Sequence, residues 1–443
     1  MDGTSMKQFY RFLPLVLLIV SVVQLPAQQL SGRFSTSFYS WERFTSDSTS
    51  DVITRAYQNI QLDGAYNKLS FHTTLTGSMG SASSLSSEAQ VRVYGAYLQW
   101  KRIADVADLN VGRIPIFAGV GNGIVDGISV KFHGWDEKVI ATGYGGMNVG
   151  PALASRGFDD FDKNFLVGGQ VIGYLFDGSR IGLSYMNRNR SLSSYRTNRL
   201  DSLFNPVSMI ICPDVRKEQL LGFDASYAYK DYGSVYGRCD YEINTQAVLR
   251  GEASIRANST SQLAVTGEYI YRAPRVPYHS FFSVFEFEAL NELCGGIEYS
   301  ICPSMAAFGR VAFVQYDEEL SRRLTIGVNS TYGSIQYSGS NGYSGQLASF
   351  SVEGMYPLFE KKLIPTIGAS FATYRLDRIN DTRQEIYSGS LGAVVRLLSS
   401  FSFDAQVQWA RNKIAENDVR AFGKISYWFS HVFSKPQQTG GGQ

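Results

Sequence analysis

Three segments of this chain alternate apolar and charged side chains residue by residue, and that pattern narrows the possible folds more than any other feature. In Val248–Ala257, Leu249, Gly251, Ala253 and Ile255 alternate with Arg250, Glu252, Ser254 and Arg256. In Ser234–Asn244, Val235, Gly237, Cys239, Tyr241 and Ile243 alternate with Arg238, Asp240 and Glu242. In Phe401–Ala410, Phe401, Phe403, Ala405, Val407 and Trp409 alternate with Ser402, Asp404, Gln406 and Gln408. A period of two puts one set on each face of a strand. The apolar faces are small-residue faces with aromatics near their ends, enough for contact with lipid but too thin for an interlocking core. The opposite faces carry charges at every second position and require water or ion pairs.

The rest of the chain fits this reading. Every apolar run after residue 30 is broken within a few residues, so a membrane could be crossed only by a closed barrel of strands. The charged fraction of 18% is below the roughly 25% usual for soluble domains, and aromatics reach 14%. No linker divides the 443 residues into compositional halves. The net charge of +2, without a block of like charges, speaks against a nucleic-acid partner.

Residues 6–27 have the build of an export signal. Lys7 and Arg11 precede an apolar stretch from Phe12 to Val23, and Ala27 offers a small residue for cleavage. Met6 reads as the natural start. The apolar stretch is shorter than the roughly 20 residues a spanning helix needs. The expected organisation is a signal peptide over 1–27, a barrel over 28–430 and a polar tail over 431–443.

Counting strands from Leu30 to Phe429 gives an all-β, transmembrane, antiparallel up-and-down barrel of about 22 strands. The range is 16 to 22, because residues 126–144 and 334–345 read weakly. Short links such as Asp63–Lys68, Lys230–Gly233 and Leu398–Ser400 should form one end of the barrel, the periplasmic one. Longer links, chiefly Gly145–Lys163, Arg188–Arg216 and Arg272–Leu290, should form the extracellular end. Barrels of this size are normally plugged, yet alternation begins at once with Gly32, Phe34, Thr36 and Phe38. Either the count is lower or the three long loops fold inward.

The last segment, Asp418–Phe429, alternates Val419, Ala421, Gly423, Ile425, Tyr427 and Phe429 with Arg420, Lys424 and Ser426. It resembles the terminal strand that barrel-insertion machinery reads in outer-membrane proteins, although a polar tail follows it. The segment Arg92–Asp126 is similar in layout to the early hairpin of phosphate-selective-porin-like barrels. There a Y-x-x-Y-L strand leads through a short turn to a V-G-R-x-P strand and a Gly-rich loop. Tyr94, Tyr97, Leu98, Gly112, Arg113 and Pro115 occupy those positions. The resemblance covers about one tenth of the chain and implies a porin-like barrel without implying a substrate.

Catalytic motifs fail on chemistry. Gly119-Val120-Gly121-Asn122-Gly123 lacks the Lys-Ser/Thr and the helix of a nucleotide loop. Gly339-Ser340-Asn341-Gly342 has Ser338 where an outer-membrane phospholipase needs its histidine base, which leaves Ser340 an ordinary turn hydroxyl. Cys212, Cys239, Cys294 and Cys302 form no CxxC pair and, with four scattered histidines, no zinc pattern. They read as small buried or lipid-facing residues, with one disulfide open. Charges in or near the expected long loops, Glu286, Glu288, Glu292, Arg188, Arg190, Arg196 and Arg199, could form acidic and basic rims that steer ions, and read first as ordinary solvated loop charge.

The pore-lining candidates are Arg238, Asp240, Glu242, Arg250, Glu252, Arg256, Glu268 and Arg272, which fall on the polar parity of neighbouring strands. They either line a hydrated pore or form a static ion-pair network, and both remain open. The expectation is an outer-membrane passage for small polar solutes with no cofactor and no catalysis. Its partners are outer-membrane lipid and, during assembly, the insertion machinery. A non-conducting structural, adhesion or secretion barrel is the rival.

Overall fold

The computed structural model describes residues 29–433 except 47–48, 81–89, 151–152, 154–157, 192–193, 201–203, 212–214, 275–287, 343–344, 376–381 and 414–415. The first strands are β1 (Gln29–Ser46), β2 (Thr49–Tyr66), β3 (Leu69–Gly80), β4 (Gln90–Ile103), β5 (Ala107–Ala118), β6 (Gly121–Gly134), β7 (Val139–Asn148), β8 (Phe165–Gly173) and β9 (Ser179–Arg190). After β10 (Tyr195–Leu200) and β11 (Pro206–Ile211) come β12 (Arg216–Tyr229), β13 (Gly233–Glu242), β14 (Ala247–Asn258), β15 (Leu263–Arg272) and β16 (Leu290–Cys302). The remainder are β17 (Met305–Tyr316), β18 (Glu319–Ser330), β19 (Gly333–Gly342), β20 (Gly345–Met355), β21 (Leu363–Arg375), β22 (Gln384–Leu398), β23 (Phe401–Arg411) and β24 (Asp418–Val432).

Twenty-two of these strands form one antiparallel sheet in chain order; β10 and β11 pair only with each other. The sheet closes because β1 pairs with β24 from Gln29↔Val432 to Trp41↔Arg420. Closure removes both free edges, so the backbone donors and acceptors of the wall are met inside the sheet except along residues 90–95 of β4, which lose their neighbour on one side. Phe429 lies opposite Gly32 on this seam and stacks on Phe34, ring centroids 6.1 Å apart. A Cβ on Gly32 would fall 2.7 Å from Leu62 Cδ2 and 2.8 Å from the Phe429 ring, so the glycine makes room for the terminal aromatic. The pairing continues through His431 and Val432, two residues into the stretch expected as tail.

The expected count of 22 is met, and the two weakly patterned stretches are full strands, β6 with β7 and β19. The end at which the termini meet (the lower end) carries short turns, as at residues 67–68 and 303–304. The upper end is mixed: tight links at 119–120, 243–246 and 317–318 stand beside longer ones.

The two faces of the wall divide as the alternation requires. Val235, Ile255, Ile297, Ile326, Leu391 and Val407 are each about half exposed and point away from the axis. Asp240, Glu218 and Gln170 point inward and are buried. Leu249 departs from its expected face. The register slips between Asp240 and Tyr241, and the resulting bulge turns Leu249 into the interior, 7% exposed. Ser340 lies in strand β19, opposite Arg323 and Leu347, and not in a turn. Cys239, Cys294 and Cys302 are free; Cys294, opposite Glu268, sits on the inner wall and not among lipid-facing or fully buried residues. Cys212 lies outside the described residues.

Candidate functional site: the lumen and its inward hairpin

β5 leaves the wall halfway along its length. Its last pair with β4 is Ala96↔Arg113, while its pairing with β6 runs on to Ala118↔Gly121. β6 in turn joins β7 only from Val125 onward. The hairpin tip, residues 114–124, therefore has no wall neighbour on either side. Pro115 stands just past the departure point. Its partner Ile124 gives its carbonyl to the Val149 amide at 2.9 Å, on the side away from β5. The Pro115 ring nitrogen therefore faces the vacated side, where a missing donor costs no ladder bond.

The tip bends into the lumen and packs on the inner faces of β7, β8, β9, β12 and β14. Ile114, Ile116, Ala118 and Val120 bury against Tyr144, Leu166, Met186, Leu220 and Leu249. Leu166 is fully covered, whereas its outward neighbour Val167 is 43% exposed, which fixes the side on which the hairpin lies. Polar contacts fasten it. The Val120 amide donates to Ser184 Oγ at 3.0 Å, and Arg188 Nη1 donates to the Asn122 carbonyl at 3.3 Å. Arg188 is itself held by Glu218, Nε to Oε2 3.0 Å. Gly119 has φ +63°, and a Cβ there would fall 2.2 Å from Ser184 Oγ. The Gly119-Val120-Gly121-Asn122-Gly123 motif is thus a close-approach turn against the wall.

A tight hairpin that the sequence pattern did not single out lies inside the barrel, and Ala273, at the start of the third long link, packs against its cluster. Of the three long links, residues 275–287 lie outside the description, and Arg196 and Arg199 are exposed on the separate β10–β11 hairpin. Arg188 and Glu292, near the long links, lie within strands on the inner wall. Glu288 is exposed beside β16, and Glu286 falls outside the described residues.

At the root of the hairpin sits an ion pair in which the arginine is buried and the aspartate half-buried. Arg113, 7% exposed, meets Asp126 in a two-pronged contact, Nε–Oδ1 and Nη2–Oδ2 both 2.7 Å. Its Nη1 reaches the Val93 carbonyl on the abandoned edge of β4 at 3.2 Å and the Leu153 carbonyl at 2.8 Å. One guanidinium thus spans β4, β6 and the link after β7, where β5 turns inward. Planar forked geometry suits this task.

The eight sequence-chosen charges all reach the inner face, on the neighbouring strands β13, β14 and β15. Arg238 grips Asp240 of its own strand, Nε–Oδ1 2.9 Å and Nη2–Oδ2 3.0 Å. Arg250 donates from Nε to Glu252 at 2.6 Å. Arg256 reaches over β15 to Glu298 of β16 at 2.9 Å. Glu242 lies opposite Leu220 at the top of β13. Glu268 lies opposite Cys294, and Arg272 lies opposite Arg250; neither has an ion-pair partner among the described residues. Further pairs join the same surface, Arg180 with Asp224 and Arg323 with Glu292. Arg310 rests over the Phe308 ring at 5.9 Å. A polar recess of about 520 Å³ lies among Glu268, Glu292, Glu298, Arg310 and Arg323.

Several contributors were absent from the sequence-based choice: Asp126, Ser184, Glu218, Asp224, Glu298, Arg310 and Arg323. The signal for the strand charges was the same parity rule, applied to more strands. Among the described residues, no group of three His, Cys, Asp or Glu could hold a metal ion.

No protein-family model matches the sequence, and no curated protein matches it. Solved structures resemble it in fold. A mutant of the ferric enterobactin receptor PfeA from Pseudomonas aeruginosa superposes with a TM-score of 0.56 at 9% identity, over 90% of this chain and 80% of that one. The P pilus usher (PapC) translocation pore has a TM-score of 0.48 at 9% identity, over 90% and 99%. OpdQ of Pseudomonas aeruginosa has a TM-score of 0.41 at 10% identity, over 91% and 99%. At such identity the receptor likeness establishes the barrel fold.

Proposed function

We propose that this chain is a porin-like channel of a Gram-negative outer membrane, through which small hydrophilic solutes or ions diffuse passively. The observation that carries the reading is the division of the wall. An apolar belt faces outward and charged residues line the lumen, with the hairpin 114–124 filling only one sector. Twenty-two strands spaced about 4.8 Å apart and tilted near 40° enclose a space roughly 40 Å across. A two-stranded ribbon narrows such a lumen without filling it.

In this reading the hairpin sets the size limit and the wall charges set ion preference. Arg238, Asp240, Glu242, Arg250, Glu252, Arg256, Glu268 and Arg272 line the passage. Residues 1–27 direct export and are removed, and insertion machinery reads the aromatic-rich last part of β24. No cofactor and no chemical step are needed. One observation favours the rival, a non-conducting structural, adhesion or secretion-complex barrel: most of the inner-wall charges are already paired with each other. Swelling of vesicles containing the folded protein, in neutral sugars of graded size, separates the two. A channel admits the small sugars and excludes the large. A sealed barrel admits none.

A further inference from the structure

Where β5 and β6 bend inward, they leave a defect on the outer surface. Residues 90–95 of β4 keep β3 as a neighbour but have no partner on the other side. The vacated space is a cavity of about 950 Å³, within the range of small-molecule sites, roughly 300–1,000 Å³. Its walls are Val93, Ala96, Val111, Ile128, Phe165 and Val167. Val111, Ile128 and Val167 belong to the outward belt, 45%, 49% and 43% exposed, so the cavity is continuous with that belt. The bulge between Thr74 and Leu75 brings Val93 onto the same outward face.

The charged side chains at its back, Arg113 and Asp126, are turned on each other and on the Val93 and Leu153 carbonyls. The site therefore offers carbon, not charge, to an occupant. The floor is flat because position 145 is glycine: an added Cβ would meet only Val167, at 3.6 Å and beyond. An apolar recess opening on hydrocarbon has no use for water. Left empty, it would forfeit the dispersion contacts of every side chain lining it.

We propose that this recess is a binding site for an acyl chain of a lipid from the surrounding membrane, which enters the wall beside the root of the hairpin and braces it. The proposal rests on the membrane location argued above, and does not depend on conduction. Seated there, the chain packs against Val111 and Ile128, the residues immediately below the Arg113–Asp126 pair on β5 and β6. It thereby replaces the side-chain contacts those strands lose when they leave the wall.

The test uses the full mature protein in phosphatidylcholine vesicles doped with a phosphatidylcholine carrying a diazirine on one acyl chain. After irradiation, adducts are mapped by mass spectrometry. The expected result is labelling of the peptides holding Val93–Ala96 and Phe165–Val167 at severalfold the level around Leu293 and Ile297, which are open belt residues. Gly145→Leu fills the recess and should bring that labelling down to the belt level. Ala96→Phe fills it from the opposite wall and should do the same. Gly143→Leu is the control: it lies on the same outward face, away from the recess, and a Cβ there meets nothing within 4 Å. It should leave the excess intact. Even labelling around the belt, or an excess that survives both filling variants, overturns the acyl-chain site while leaving the membrane reading in place. A belt that takes no label at all overturns both.

Discussion

The Val120 amide, at the tip of the inward hairpin, donates to the Ser184 hydroxyl on β9 at 3.0 Å. This bond ties a segment that has left the wall to the inner face of a strand further round the barrel. The same hydroxyl reaches the Gly222 carbonyl at 3.4 Å, so one serine links the hairpin to both β9 and β12. Ser184→Ala removes the acceptor and leaves a buried amide unmet, at a cost of about 1–3 kcal/mol to hairpin docking. The open level in single-channel recordings should become noisier than in the wild type. An unchanged open level would mean that apolar packing alone holds the tip.

Gly119→Val is the stronger perturbation. The position has φ +63°, which a β-branched residue resists, and its Cβ would strike Ser184. The tip should be expelled and the pore widened. Conductance should rise, and swelling assays should admit larger sugars. Replacing Pro115–Gly123 by a two-residue turn should produce the same widening. If neither variant changes the size limit, the hairpin is not the constriction.

Ion preference should follow the paired charges. Arg250 neutralises Glu252, and Arg256 neutralises Glu298. Converting both arginines to glutamine frees two carboxylates on the lumen wall and should shift the reversal potential, under a potassium chloride gradient, toward cations. Converting both glutamates to glutamine should shift it the other way. Two shifts of the same sign would show that these residues do not face the ion path.

The Arg113–Asp126 pair should behave as a partly buried couple. Removing Asp126 leaves the buried guanidinium uncompensated, at a cost of up to roughly 3–5 kcal/mol, whereas removing Arg113 leaves a half-buried carboxylate and costs less. Arg113→Met or Asp126→Leu alone should lower the temperature at which the barrel unfolds in detergent, read as the shift in electrophoretic mobility. The double variant should recover much of the loss. The Val93 and Leu153 carbonyls, left without their donor, should keep it below wild type. A double variant worse than either single one would contradict this assignment.

Closure is testable by covalent chemistry. Ser35 and Ser426 are direct partners on the β1–β24 seam. Changed to cysteine in a background with the native cysteines replaced by serine, they should oxidise to a disulfide. The linked protein should resist heat-driven opening. Failure to form the bond in folded protein would contradict the closing register.

Most of the wall was legible because a strand writes its two faces directly into alternate residues. Arg238, Asp240 and Glu242 share one parity, and the pairing of β13 sets them together on the inner face of the sheet. The hairpin was harder, because folding inward is a decision between strands and not within one. Its trace is nevertheless present. On β5 apolar residues alternate at Leu109 and Val111 below Arg113, whereas Ile114-Pro115-Ile116-Phe117-Ala118 above it is apolar on both parities. That loss of alternation at Arg113 marks where the strand leaves the belt and Ile114, Ile116 and Ala118 are buried against the inner wall. Its counterparts are the large apolar residues Leu166, Met186 and Leu220 on a parity otherwise polar. Leu249 was misassigned because a bulge adds one residue to one strand, and a single sequence does not say which partner gains it. The Arg113–Asp126 pair was invisible because the two residues meet only once β5 and β6 are in register.

The most direct test of the whole account is single-channel recording of the refolded wild-type protein in a planar bilayer. The account predicts discrete conductance steps with an ion preference that responds to the wall charges. A barrel that shows the mobility shift of a folded protein, yet gives no steps, would contradict the channel and leave the sealed barrel as the reading.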